Sequence, residues 1–571
     1  MNIPTIDFRP ALADALKNYS AAKFRQDLVA GIVVGIVALP LAIAFGIASG
    51  VTPAVGLVTA VVGGFLVSAL GGNSVQIGGP TGAFIIIVYN IIQLYGLEGL
   101  GLATLMAGII LVLMGLFKLG TVIKFIPYPI VVGFTAGIAV TIFSTQIPDV
   151  LGLHIDEKVP GDFIGKWGVY FRHMHTIDLQ TALVTLISLA VIIFTPKISK
   201  KLPGALTAIV LVTAVTYILR EFVGVGGCET IGDRFGELTP EFSAKFNIGL
   251  NMESVNLLLP SAFTIAMLAA IESLLSATVA DGRTGGKTNC NTELIGQGVA
   301  NMVVPIFGGI PVTGAIARTM TNITSGGRTP VAGVIHALVL LLVFFFAMPL
   351  ISLVPMACLG AVLLTVSYNM SGWRTIKGMV HNPKGDVSVL AVTFFLTVVF
   401  DLTIAIEIGL LLAIVLFLRR VMENTSIKVY GKQLDAADFD MTTHEVLDLE
   451  PEVSVYEIDG PFFFGAATKF DEVMRNNMRE KPLVRIIRMR KVPFIDSTGI
   501  HNLQLLIESS HQEGILVVLS GVKENVRFDL HNAHVDNMIS PEHICPHISK
   551  AVEVANALAR ERRGTVAAVE A

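Results

Sequence analysis

Charged and hydroxyl side chains deep inside apolar sequence are the residues most able to do chemistry here. Glu272 is the sole carboxylate well within the run Ile265–Ser276, and Ser276 follows it at a spacing of four residues, on the same face of a helix, where it is expected to offer its hydroxyl to substrate or ion. Arg318 lies one turn into another apolar run that opens at Pro311-Val312-Thr313-Gly314-Ala315-Ile316. An unpaired cation in hydrocarbon costs at least ~2.5 kcal/mol, so Arg318 is expected to face a cavity or a partner. Two readings follow: it attracts an anionic substrate, or it is a structural ion pair for Glu272. A carboxyl shielded from water is in turn a candidate to take up and release a proton. Glu272 is therefore the candidate ion-coupling residue, the alternative being a charge that only neutralises Arg318.

Glycine and proline mark two places where a helix must break. Gly78-Gly79-Pro80-Thr81-Gly82-Ala83 and Gly308-Gly309-Ile310-Pro311-Val312-Thr313-Gly314-Ala315 are nearly the same phrase, each inside apolar sequence. Backbone groups freed by a break at membrane depth must be satisfied by protein or a water-lined cavity. A helix that restarts after such a break presents unpaired amides and the positive end of its dipole, which suits an anion. Thr81, Gly82 and Ala83 on one side and Gly314, Ala315 and Ile316 on the other are thus candidate substrate-binding residues. Glycines that merely let helices pack closely are the alternative.

The elements that would hold these residues are transmembrane helices. Of 571 residues, 53% are hydrophobic and 15% charged, with mean hydropathy +0.71, against ~25% charged for soluble domains. About fourteen apolar runs separated by short polar connections extend from Leu28 to Leu418, enough for a polytopic α-helical membrane protein. Lys17, Lys23, Arg25, Lys118, Lys124, Lys197, Lys200, Lys201, Arg283, Lys287, Arg374, Lys377, Lys384, Arg419 and Arg420 fall on one side if the spans alternate. That side is expected to be the cytoplasm, with both termini on it. Thr81 and Thr313 are 232 residues apart, and the same offset carries Gly64 onto Gly296 and Pro40 onto Glu272. Two sets of seven spans, near 28–220 and 257–418, read as an inverted repeat, because an odd number of spans makes the second copy enter from the opposite side.

The remaining parts have a different character. Residues 1–27 read as a polar cytoplasmic segment, 28–420 as the transport domain, 421–441 as a linker, 442–560 as a small soluble α/β domain and 561–571 as a disordered tail. In the soluble domain, Val453–Ile458, Leu483–Met489 and Ile515–Leu519 read as strands with helical patterns near 467–479, 498–513 and 547–560. Asp496-Ser497-Thr498-Gly499 falls where a strand ends and a helix begins. A helix cap accounts for these residues, and a phosphorylatable, regulatory Ser497 is the sharper alternative.

Other chemistry is disfavoured. Asp281-Gly282-Arg283-Thr284-Gly285-Gly286-Lys287-Thr288 has Asp281 where a phosphate loop needs glycine, and it follows a membrane helix. Cys228, Cys290, Cys358 and Cys545 have no metal spacing, and His154, His173 and His175 read as loop surface. His336 reads as a hydrogen-bonded helix-packing residue rather than a proton relay. No nucleophile, base and orienting group converge, so an enzyme is not expected, and no cofactor or metal set is legible. A net charge of −4 gives no sign of a nucleic-acid partner.

The chain resembles the SulP family, the sulfate-permease and solute-carrier-twenty-six type of anion transporter. The resemblance rests on Ala38-Leu39-Pro40-Leu41-Ala42-Ile43-Ala44-Phe45-Gly46, Gly79-Pro80-Thr81-Gly82-Ala83, Glu272-Ser273-Leu274-Leu275-Ser276 and Pro311-Val312-Thr313-Gly314-Ala315-Ile316-Ala317-Arg318-Thr319. Phe494-Ile495-Asp496-Ser497-Thr498-Gly499 resembles a STAS domain. This resemblance implies a 7+7 inverted repeat of core and gate domains, a homodimer, an elevator-like motion, and an anion held between the third and tenth spans. By position it adds Ala42 and Phe45 to the site. Glu at 272 and Ile at 316 differ from sodium-coupled bicarbonate-type members, which favours a proton over sodium. Sulfate is the implied default, with C4-dicarboxylate or bicarbonate, or an uncoupled channel, as alternatives. The implied location is the bacterial inner membrane. The STAS resemblance also implies a cytoplasmic protein partner.

Overall fold

The computed structural model describes residues 8–570 except 18, 122–126, 158, 200–201, 223–227, 239–251, 401, 431–432, 435–446 and 466–481. Lys124, Lys200, Lys201 and the helix expected near 467–479 lie outside the described residues. The chain divides into two units, Met1–Ala413 and Ile414–Ala571.

The first unit is helical. Its long helices are α1 (Ala21–Ala48), α2 (Pro53–Leu70), α3 (Ile85–Leu116), α4 (Tyr128–Thr145), α5 (Leu179–Ile198) and α6 (Gly204–Phe222), then α7 (Met252–Thr284), α8 (Cys290–Val303), α9 (Ile316–Thr324), α10 (Val331–Phe346), α11 (Met356–Met370), α12 (Lys384–Val399) and α13 (Leu402–Asn424), which runs on into the second unit. They coincide with the apolar runs. Among the described residues, seven elements are long and apolar enough to cross a membrane by length and composition. Helix α1 starts at Ala21, before the apolar run, because the Ser20 hydroxyl caps it by accepting from the Lys23 amide. Gly96, with φ +70°, interrupts α3 between the two runs read there as separate spans. The stretch 149–178 carries a helix of its own, Phe163–His173, with His173 Nδ1 3.0 Å from the Val169 carbonyl oxygen.

Helix α3 packs on α7 and α8, while α10 packs on α1 and α2, so the elements flanking each break are clasped by the other half of the sequence. Helix α4 packs on α11 and α12, and α5 on α6 and α11, as a second group. Two short strands, β1 (Gly78–Gly79) and β2 (Thr313–Gly314), lie inside the first group.

The second unit is a five-stranded sheet with helices. β3 (Ser426–Tyr430) runs antiparallel to β4 (Val453–Asp459), which continues in parallel to β5 (Val484–Lys491), β6 (Leu516–Ser520) and β7 (Ile544–Cys545). Tyr456, Ile458, Ile487, Met489, Val517 and Leu519 pack on α14 (Ser497–Gln512) and its neighbours, while Val455, Ile486 and Val518 pack on α15 (Ile548–Glu570). Two readings of the ends change. The edge strand β3 lies within the expected linker 421–441, and its Ser-Ile-Lys-Val-Tyr does alternate polar and apolar as a strand would, over only five residues directly after the long apolar helix. The last helix runs to Glu570 rather than ending near 560, and Arg560 and Arg563 on it pair with Glu450 at 2.8 and 2.7 Å.

Candidate functional site

The two breaks meet. Gly78 lies opposite Gly314 and Gly79 opposite Thr313 in an antiparallel pair, and the Ala315 amide donates to the Ile77 carbonyl at 2.8 Å. Pro80, which has no amide, ends the first strand, and a single 3-10 turn, Gly82–Phe84, leads into α3. On the other side α9 starts at Ile316 directly after β2. Two helix starts are thereby held against one short seam of backbone.

Of the expected site residues, Thr81, Glu272, Ser276, Gly314, Ala315 and Arg318 are tied to this seam, with some changes of role. The Thr81 hydroxyl donates to Glu272 Oε2 at 2.8 Å, joining the first break to α7. Thr81 is 6% exposed, and Glu272 keeps partial exposure. Arg318 is 1% exposed. Its guanidinium donates to the Pro80 carbonyl at 3.0 Å and to the Gly78 carbonyl at 3.5 Å, the second a weak contact. Arg318 makes no ion pair with Glu272 within 4.0 Å among the described residues. It braces the backbone of the first break instead. The strand has to be glycine at position 79, where φ is +150° and a Cβ would collide with Arg318 Nη1.

Ser276 is engaged with protein rather than open. Its hydroxyl donates to Thr319 Oγ1 at 3.3 Å, and that oxygen accepts from the Ile77 amide at 3.1 Å. The Ala315 amide is likewise occupied, by the Ile77 carbonyl, and the amides of the first turn of α9, Ile316, Ala317 and Arg318, have no helical carbonyl four residues back. Ala317 is exposed and Ile316 partly so. On the first side the corresponding open amides are those of Gly82 and Ala83, since Phe84 already bonds back to Thr81. A Cβ on Gly82 would lie 2.9 Å from Met370 Sδ of α11 and 3.1 Å from Ile142 Cδ1 of α4, which makes those apolar side chains the facing wall. Ala42 and Phe45 are buried on α1, with the Ala42 carbonyl against Gly56 of α2. In the second unit Asp496 is the cap of α14, accepting from the Gly499 amide at 2.7 Å, and Ser497 beside it is exposed.

The structure adds residues that sequence reasoning passed over. Glu293, Gln297 and Asn301 form a buried polar stripe on one face of α8. Asn301 accepts from the Val312 amide at 2.9 Å and donates to the Val312 carbonyl at 2.8 Å, holding the second break as a strand partner would. Thr59 accepts from the Ile310 amide at 2.9 Å, and the Thr313 hydroxyl donates to the Ala269 carbonyl at 2.8 Å. Asn322 donates to the Val75 carbonyl at 2.8 Å. A spacing of four between three amide or acid residues in an apolar helix was the available signal. His336 is fully buried, with neither ring nitrogen hydrogen-bonded.

Broken helices that bring two restarted ends together at a polar seam are an arrangement found in membrane transporters. Residues 24–393 match the sulfate permease family and residues 446–551 the STAS domain. The chain belongs to the sulfate permease family, whose members are multi-pass membrane transporters. It is 41% identical over 534 residues to YvdB of Bacillus subtilis (strain 168), covering 93% of this chain and 98% of that one. The solved transmembrane domain of a cyanobacterium bicarbonate transporter, BicA, superimposes with a TM-score of 0.60 at 28% identity over 69% of this chain and 98% of that domain. The structure of the murine Slc26a9 anion transporter in the inward-facing state shares the fold, with a TM-score of 0.84 at 17% identity over 96% of this chain and 94% of that one.

Proposed function

We propose that this protein is a proton-coupled secondary transporter of small oxyanions, with sulfate as its first substrate. The observation that carries the reading is the antiparallel seam of Gly78-Gly79 with Thr313-Gly314, which holds the starts of α3 and α9 together beside the Thr81–Glu272 hydrogen bond. The anion lies between the open amides of Gly82 and Ala83 and those of Ile316 and Ala317, with Thr81, Ser276, Gly314 and Ala315 shaping the seam behind it. Ala42 and Phe45 back the pocket, and Arg318 supplies the positive field. Glu272 exchanges its Thr81 partner and a proton as the anion binds. Family membership supports an anion as cargo, and the likeness to BicA keeps bicarbonate as the second reading.

The same reading puts both termini on the cytoplasmic side of a bacterial inner membrane, with the transport unit as fourteen spans moving as an elevator in a homodimer. The STAS unit docks a cytoplasmic protein, and phosphorylation at exposed Ser497 regulates that contact. The test is radiolabelled uptake into proteoliposomes from a panel of sulfate, bicarbonate, fumarate and succinate, with and without inward proton and sodium gradients. Sulfate uptake that saturates, shows counterflow and rises with external acidity is expected. Uptake driven by sodium alone, or conductance without saturation, sinks the proposal.

A further inference from the structure

Besides Glu272, which keeps partial exposure, a second acid of the first unit lies against the first break. Glu293 of α8 is fully buried. Its Oε2 accepts from the amides of Gly72 at 2.8 Å and Asn73 at 3.1 Å. Its Oε1 accepts from Gln76 Nε2 at 2.9 Å, Ser273 Oγ at 3.0 Å and Gln297 Nε2 at 2.9 Å. Four of these five donors are N–H groups, at least two on each oxygen, a set that suits a carboxylate and nothing else of its size. The donors come from three places: the segment leading into β1, helix α7, and α8 itself.

The connection to the seam is direct. Gln76 Nε2 also donates to Ser273 Oγ at 2.8 Å, and its amide fills the space where a Cβ on Gly314 would stand. Ser273 is the neighbour of Glu272 in the chain. Consecutive residues of α7 thus hold the same strand at two points: Glu272 takes Thr81, and Ser273, together with Glu293, takes Gln76. A strand fastened only at Thr81 could slide when Glu272 changes its partner. Fastened also at residues 72–76, it must pass that change on to the helix start and the seam.

Resting on the proposed transport function, we infer that Glu293 is a positioning residue for the anion site: it anchors residues 72–76 so that Thr81 meets Glu272 and the two helix starts stay in register. It touches no substrate. A carboxamide at this position would aim an NH2 at N–H donors on one side or the other, so loss of register is expected even though the size is unchanged.

The test uses the full-length protein in lipid nanodiscs and proteoliposomes, comparing wild type, Glu293→Gln, Glu293→Asp and Ser273→Ala. Hydrogen exchange in Glu293→Gln should quicken by about tenfold at the amides of residues 72–77 while α12 and the STAS unit keep their wild-type rates. The half-saturating concentration of radiolabelled sulfate should rise by about tenfold with a smaller change in maximal rate. Glu293→Asp should recover part of both. Should Glu293→Gln not fold, Ser273→Ala, which removes one donor to Glu293 and an acceptor for Gln76, should show both effects in the same direction at about threefold. Unchanged exchange at residues 72–77, or quickening spread equally over the whole chain, overturns the inference, as does a local change in exchange with no change in sulfate half-saturation. A wild type that takes up no sulfate counts against the sulfate reading alone, and the exchange pattern then decides the role of Glu293 by itself.

Discussion

The two breaks share a backbone and differ in how they are held. Both are short strands in one antiparallel pair, each followed by a helix start. The first is gripped by charge: Glu293 on residues 72–76, Arg318 on the Gly78 and Pro80 carbonyls, Glu272 on Thr81. The second is gripped by neutral groups, Thr59 on Ile310, Asn301 on Val312 and the Ala269 carbonyl on Thr313. All three charges belong to the second set of spans and act on the first. A hydrogen bond to an ion is worth about 1.5–3 kcal/mol against about 1 for a neutral pair, and it alone changes with protonation. The repeat is therefore nearly even in scaffold and uneven in chemistry, with the first break as the responsive half and the second as the fixed one.

Removing Arg318 should break that division most severely. Arg318→Ala leaves the Pro80 carbonyl buried without its donor and takes the positive charge from the seam, so sulfate uptake efficiency should fall on the order of a hundredfold. Arg318→Lys should recover a part, because an ammonium can reach one carbonyl but lacks the fork. Equal uptake by Arg318→Ala and wild type would show that charge on the first break is incidental.

Glu272→Gln sharpens the comparison by separating binding from coupling. The carboxamide oxygen can still accept from Thr81, so half-saturation for sulfate should stay within about threefold of wild type. Stimulation by an inward proton gradient should vanish, because no proton is gained or lost at this position. The check is uptake with the outside at pH 5.5 and pH 7.5 against a fixed interior. A variant that remains acid-stimulated would move coupling to another group.

Asn301→Ala attacks the neutral half. It strands both the amide and the carbonyl of Val312 in a buried place, a loss of ~2–3 kcal/mol of stability. Uptake should fall about fivefold through loss of folded protein, with the ratio of acid to neutral uptake unchanged. A lowered melting temperature with an intact pH response is the expected pair of measurements.

Much of this was legible before any coordinates. The helices fall where the apolar runs lie, and the glycine-proline phrases at Gly78 and Gly308 mark the breaks, because helix interruption in an apolar run has few local causes. Glu272 and Arg318 stood out as charges in the middle of such runs. Glu293 did not, since it sits three residues into α8 behind the polar Asn289-Cys290-Asn291-Thr292, where an acid reads as an ordinary helix-end residue. Partnerships were also hidden. Sequence placed Arg318 opposite an anion or Glu272, whereas its donors go to backbone carbonyls that carry no residue type to recognise. Ser276 was read as open to substrate because spacing fixes a face and cannot say what already occupies it.

The smallest test of the comparison is Thr59→Val. The change keeps the shape of the side chain and removes one hydroxyl, which donates to the Val55 carbonyl at 2.7 Å and accepts from the Ile310 amide at 2.9 Å. The Val55 carbonyl keeps its helical partner, so the net loss is the one bond to Ile310, worth ~1 kcal/mol. Ile310 lies three residues ahead of β2, and Asn301 still holds Val312 between them. Sulfate uptake should therefore change by less than about twofold and its acid stimulation not at all. Should this neutral, remote substitution alter the pH response, the two breaks would have to be coupled through the seam as one responsive element, and the division into a charged working half and a neutral fixed half would fall.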